Sequence, residues 1–169
     1  ALVDTLGKHG ITVKPAVAEL ADANAVKAAF AGFGEVHILI NNAGVSRHPT
    51  LDQTDPAGWD EDMAANLGGA FACAHAVLPQ MVKRRAGNIV NVGSVNDLSA
   101  LGDPAYSAAK AGMISLTRSL AQEYGRYGIR CNIVLPGTVR TPIWDERKAK
   151  DPNVLKTLER WYPLGRIVE

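Results

Sequence analysis

Tyr106 and Lys110 stand four residues apart in the stretch DPAYSAAKAG, residues 103–112. On a helix that spacing puts both side chains on one face, so an ammonium can lie close to a phenol and make it more acidic. A free tyrosine, with a pKa of about 10, is too weak a base at neutral pH. Lowering it by about three units takes roughly 4 kcal/mol of preferential phenolate stabilisation. Lys110 in low-dielectric surroundings is a source of that size. A phenol tuned in this way moves protons: it protonates an alkoxide, or takes the proton of an alcohol. Ser94, which ends the apolar run GNIVNVGS, is suited to hydrogen-bonding an oxygen on which charge develops. Asn66 lies in MAANLGGAF among apolar neighbours, where an amide needs a hydrogen-bonding reason.

Each piece also has a plainer reading. Four tyrosines and eight lysines in 169 residues give a chance Tyr-x-x-x-Lys about once in five such chains. A serine at a strand end often bonds local backbone. Asn and Gly are ordinary turn residues, so Asn41-Asn42-Ala43-Gly44 could be only a turn. What favours chemistry is their common location, which follows from the order of elements.

ALVDTLGKHG has helical spacing and a glycine stop, and ITVKPAVAEL reads as a strand in spite of Pro15. Asp22 is placed to cap a helix over ANAVKAAFAGFG. EVHILINNAG is a short strand. A long helix is predicted over 56–85, with Trp59, Met63, Leu67, Phe71, Ala74, Leu78 and Met81 at threes and fours. GNIVNVGS is a strand, 104–126 a helix, and IRCNIVLPG a strand closed by Pro-Gly. Apolar strands of this kind are expected where both faces are covered. Alternating strands and helices with short connections give a parallel α/β fold. In such sheets ligands bind beyond the carboxyl ends of the strands. Asn41–Gly44, Ser94 and Pro136–Thr141 follow three of those ends, and Tyr106 and Lys110 open the helix after Ser94.

Composition narrows the function. A chain with 47% hydrophobic residues supports one core, so residues 1–169 read as a single domain. A formal net charge of +1 offers no reason to expect nucleic acid or a membrane as partner. Lys83-Arg84-Arg85 suits the C-terminal end of the long helix. No apolar run is long enough for a membrane span, and nothing resembles a signal peptide. Cys73 and Cys131 lie in apolar patterns with no disulfide or metal spacing, as core fillers in a reduced, cytoplasmic setting.

INNAG, NLGGAF, IVNVGSV, YSAAKAG, SLAQEYGRYGIRCNIVLPGTVRTPI and PLGRIVE together resemble the short-chain dehydrogenase/reductase family over almost the whole chain. The resemblance implies a Rossmann-type, doubly wound parallel sheet. It also implies a nicotinamide dinucleotide, NAD or NADP, and hydride transfer between an alcohol and a carbonyl. The family's catalytic residues correspond to Asn66, Ser94, Tyr106 and Lys110. By the same resemblance Lys110 also binds the nicotinamide ribose, and Asn66 holds a water that links Lys110 to solvent. Asn42, Ala43 and Gly44 match the stretch lining the adenosine ribose. Glu19 and Leu20 match the pair beside the adenine, where the family usually has Asp. Pro136, Gly137, Val139 and Thr141 match the segment facing the nicotinamide carboxamide.

The family's opening strand and its Thr-Gly-x-x-x-Gly-x-Gly turn have no counterpart in the chain. AGFGEV, residues 31–36, has the wrong spacing and ends a helix rather than starting one. The sheet is therefore expected without its first two strands and its last, as a part of a longer oxidoreductase. The alternatives are a truncated scaffold that binds no dinucleotide and a nucleotide-sensing regulator on the same fold. A sensor has no use for a proton relay. The mouth of the site should draw on 45–49, 95–101 and 138–162, with Arg47, His48, Asn96, Asp97, Trp144 and Trp161, a mix that suits a polyol or sugar alcohol. WDERKAKDPNVLKTLERWY resembles the family's substrate lid. The helices over 56–85 and 104–126 carry more than one apolar stripe, so a homodimer or homotetramer is expected through them.

Overall fold

The protein is described by a computed structural model covering residues 2–47, 50–98 and 103–168, with only the backbone at Leu2, Ile143 and Glu146. The chain divides into two units, Ala1–Val134 and Leu135–Glu169.

In the first unit, α1 (Leu2–Gly7) leads into an irregular stretch, and the strand expected over ITVKPAVAEL does not form. Pro15 has no N–H for a ladder, and none of the three strands among the described residues pairs with this stretch. Then α2 (Ala23–Ala31) begins as its sequence predicts. The Asp22 carboxylate accepts the N–H groups of Asn24 and Ala25 at 2.8 and 3.2 Å. Gly32 caps its end and Gly34 turns the chain with φ +73°, so AGFGEV closes a helix.

Strands β1 (Ile38–Asn41), β2 (Gly87–Val92) and β3 (Ile129–Val134) pair in parallel in that order, with Ile40 opposite Val90 and Val90 opposite Asn132. Between β1 and β2 runs one helical path: α3 (Pro56–Met63), a π turn (Ala64–Gly68) and α4 (Gly69–Arg84). Between β2 and β3 runs α5 (Pro104–Tyr124), finished by a 3-10 turn at Gly125–Tyr127. Parallel crossovers are right-handed, so two that step the same way across a sheet put their helices on one face. Leu39, Ile89, Ile129 and Cys131 are buried on that face with Val77, Leu78 and Met81 of α4 and Leu120 of α5. The other face is open, with Ile38 and Ile40 exposed by 60% and 62%. The apolar strands are therefore covered on one side only among these residues.

The long helix also divides its apolar residues differently from the predicted stripes. Leu78 and Met81 join Ala70, Ala74 and Val77 in the core, while Phe71 turns outward, 54% exposed. Cys73 and Cys131 are buried free thiols. Burial pushes both up, Cys131 to about 11, which makes them core fillers rather than nucleophiles.

The second unit holds α6 (Ile143–Lys150) and α7 (Val154–Glu159). Its loop is tied to its end by a parallel bridge between Val139 and Val168. Leu155 and Ile167 are its buried residues among those described. Among the described residues no helix is long and apolar enough to cross a membrane.

Candidate active site

The carboxyl ends of β1 and β2 carry the expected polar residues. Asn42, Ala43 and Gly44 leave β1 as an exposed strip, and Ser94 follows β2. Asp103 caps α5 by accepting the N–H of Tyr106 at 3.1 Å, which places Tyr106 and Lys110 in the first two turns. The other oxygen of Asp103 accepts the Ser46 hydroxyl at 3.2 Å, tying the loop after β1 to the start of α5.

Lys110 is 2% exposed. Its Nζ lies 5.5 Å from the centre of the Tyr106 ring and donates to the Val92 carbonyl at 2.7 Å. An ammonium has three donors, and this is its one hydrogen bond among the described residues. Burial pushes Lys110 below its ordinary value, while the Asp97 carboxylate works the other way. A lysine so buried and poorly paired is held there against its own solvation.

The Tyr106 phenol is raised rather than lowered. Burial is the largest cause, a hydrogen bond from Ser94 pulls it back, and the charges of Asp97 and Asp103 push it further up. The acidification expected from Lys110 is not what sets the direction here; burial and two carboxylates do. In this state the phenol is a proton holder.

Asn66 sits on the π turn, fully buried. Its Nδ2 donates to the carbonyls of Val45 and Asp62 at 2.9 and 2.8 Å, and its Oδ1 accepts the Val45 N–H at 3.1 Å. The buried amide thus has the reason its apolar surroundings demanded: it clamps the chain just after Gly44. Space there is tight. A Cβ on Gly44 would come within 2.8 Å of Asn66 Oδ1 and 3.3 Å of Lys110 Nζ, so only glycine lets the strand end approach these groups.

Asn66, Ser94, Tyr106, Lys110 and Gly44 all belong to the first unit and share one end of its sheet. Glu19 is exposed, its Oε1 accepting only the nearby Ala21 N–H. Leu20 lines an apolar groove of about 400 Å³ with Val26, Phe30 and Cys73. Of the mouth residues, Arg47 pairs with Asp62 at 3.2 Å and with Glu61 at 3.8 Å, so it braces α3. His48 and residues 99–101 lie outside the described residues.

Pro136, Gly137, Val139 and Thr141 belong to the second unit. There the Thr138 N–H donates to the Tyr162 phenol at 2.7 Å, with the Tyr162 ring against Gly137. Trp144 Nε1 donates to the Val139 carbonyl at 3.0 Å with Arg147 over its ring, whereas Trp161 is exposed.

Two features have no counterpart in the sequence reading. Asn41 Nδ2 donates to Asn91 Oδ1 at 2.8 Å, Asn91 Nδ2 to Thr117 Oγ1 at 2.8 Å, and Thr117 Oγ1 to the Met113 carbonyl at 2.7 Å. This buried chain locks β1, β2 and α5 below the site. An asparagine in the middle of IVNVGS was its signal, by the same rule that singles out Asn66. The second is the hold of Asp97 on Ser94: expected only at the mouth of the site, it accepts the Ser94 N–H on its Oδ2 at 3.1 Å.

A family model described as short chain dehydrogenase matches residues 1–152. An uncharacterized oxidoreductase of Schizosaccharomyces pombe is 47% identical over 135 residues, covering 79% of this chain and 52% of that protein. The crystal structure of an oxidoreductase of the short chain dehydrogenase/reductase family from Burkholderia thailandensis superposes with a TM-score of 0.90 at 48% identity. That match covers 98% of this chain and 64% of the other. A gluconate 5-dehydrogenase from Burkholderia cenocepacia, solved with NADP and tartrate, superposes with a TM-score of 0.88 at 32% identity, covering 98% and 67%. The chain thus spans about half the length of the first relative and about two thirds of the two solved structures. With the sheet order, the strand-end residues and these matches in agreement, the chain belongs to the short-chain dehydrogenase/reductase family.

Proposed function

We propose that the protein is an oxidoreductase that moves a hydride between a nicotinamide cofactor and an alcohol or carbonyl substrate, with Tyr106 as general acid and base. The observation that carries this reading is Lys110: a buried ammonium beside a half-buried phenol, at the strand ends where such sheets bind ligands. The fold alone needs neither, and burying a charge with one hydrogen bond among the described residues opposes folding.

The cofactor class is NAD or NADP. The residues present fit its two riboses: Lys110 has hydrogen-bond donors to give to the nicotinamide ribose, and the exposed strip Asn42–Gly44, brought close by the glycine at 44, is open to the adenosine ribose. When bound, the dinucleotide supplies the hydride acceptor or donor. The chain's own part is proton handling. Ser94 hydrogen-bonds the substrate oxygen, Tyr106 takes its proton during oxidation or returns one during reduction, and Lys110 stabilises the phenolate. Asn66 fixes the backbone at Val45 and takes part in the relay to solvent. Glu19 and Leu20 are assigned to the adenine, and Pro136, Gly137, Val139 and Thr141 to the carboxamide, with residues 1–169 acting as part of one domain. These assignments rest on the family resemblance.

The protein assembles as a homodimer or homotetramer through α3–α4 and α5. Supporting this, Leu67, Phe71, Gly112 and Leu116 line an open groove of about 680 Å³ between these helices.

The test is nicotinamide absorbance in the full-length protein, with a panel of polyols, sugars and simple secondary alcohols and either dinucleotide. Turnover of one alcohol class supports the reading. Dinucleotide binding without turnover of any member favours the non-catalytic scaffold.

A further inference from the structure

Asp97 closes the single 3-10 turn, Val95–Asp97, that follows β2. The turn is held reciprocally: Ser94 Oγ accepts the Asn96 N–H at 3.2 Å, and Asp97 Oδ2 accepts the Ser94 N–H at 3.1 Å. A neutral asparagine or serine could hold such a turn. Asp97 brings more than that, because its Oδ1 is also buried and has no hydrogen-bond partner among the described residues. A carboxylate oxygen left open in a buried place is unfavourable unless its charge has a use. Its charge acts on two groups, Lys110 and Tyr106, both at the start of α5.

We propose that Asp97 is a positioning residue for the reaction: one oxygen fixes Ser94, and its buried carboxylate sets a negative charge against the Tyr106–Lys110 pair. The proposal rests on the function given above and adds a residue to it. The charged groups facing Tyr106 are Asp97 from the loop after β2, together with Asp103 and Lys110 from the start of α5. From α3, Asp62 is paired with Arg47. The direction of the effect is fixed by sign. A nearby anion favours the neutral phenol over the phenolate and the ammonium over the amine. Burial alone would leave Lys110 easier to discharge, and Asp97 opposes that. The cost falls on Tyr106, which then needs a higher pH to act as a base.

The experiment is an ultraviolet phenolate titration of the full-length protein, with Tyr106→Phe subtracted so that only Tyr106 is read. Asp97→Asn keeps an acceptor for the Ser94 N–H and removes the charge. It should lower the Tyr106 midpoint by about 0.5–1 unit. The acid limb of kcat/KM for alcohol oxidation should move to lower pH by the same amount. Asp97→Ser, neutral and still able to accept that N–H, should do likewise, which guards against one variant failing to fold. Asp97→Glu should restore the wild-type midpoint. A midpoint unmoved in both neutral variants would overturn the proposal. If Tyr106→Phe itself turns over normally, the catalytic reading fails, while the titration still decides whether Asp97 sets the Tyr106 midpoint.

Discussion

Adding one methyl group at residue 44 tests how closely the side chains proposed to be catalytic are packed. In Gly44→Ala the new Cβ meets Asn66 Oδ1 and Lys110 Nζ, and the lysine tip is the softer neighbour. The Asn66 clamp on Val45 must shift and Lys110 give way beside it, so kcat should fall about 10–100-fold and Tm should drop with it. An unchanged kcat would show that Lys110 has room to spare. Lys110→Met makes the complementary case. It removes a buried cation that has one hydrogen bond among the described residues, so the fold should be as stable or more stable while turnover is lost. Thermal melts and steady-state kinetics on the same preparation separate the two effects. The sign at Tyr106 matters here as well. Its phenol sits above its ordinary value without ligand, so alcohol oxidation should rise with pH through the alkaline range, whereas carbonyl reduction should not.

The elements hold these residues through buried polar links as much as through apolar packing. Asn91 is fully buried and joins Asn41 of β1 to Thr117 of α5. Asn91→Val should cost about 2–4 kcal/mol, because Asn41 Nδ2 and Thr117 Oγ1 each lose a buried partner along with the amide itself. Thr117→Val should cost about 1–2 kcal/mol, and the double variant less than the sum. Additive losses in urea melts would show that the chain of bonds is not a unit. Much of this scale was legible in the sequence. Asp22 by its cap, the run of α4 by its apolar spacing and the helix opening at 104 are where the structure has them. The ITVKPAVAEL stretch was misread, because β-branched residues mark a strand only where a neighbour supplies hydrogen bonds. The π turn at Ala64–Gly68 was invisible for a different reason. One extra residue in a helical turn leaves the apolar spacing almost unchanged, while it redirects Asn66. The Tyr106 shift was missed because sequence spacing shows Lys110 four residues away but not Asp97 and Asp103, which approach through loops.

At the scale of the molecule, the outward faces of the long helices are where assembly should occur. Phe71 is half exposed, and Leu67 lies so near Gly112 that a Cβ there would come within 2.8 Å of its Cδ2. Phe71→Asp in the full-length protein should shift a dimer or tetramer toward monomer in light scattering, without unfolding it. An oligomer that survives the charge at this point would place the interface elsewhere.

The central claim, that Tyr106 carries the proton, is met most directly by Tyr106→Phe in the full-length enzyme, with dinucleotide affinity and turnover measured side by side. The ring is kept and only the hydroxyl is lost. The account predicts a dissociation constant for the dinucleotide within about threefold of wild type and a kcat lower by at least about 10²–10⁴-fold. A variant that turns over at a rate comparable to wild type would contradict it.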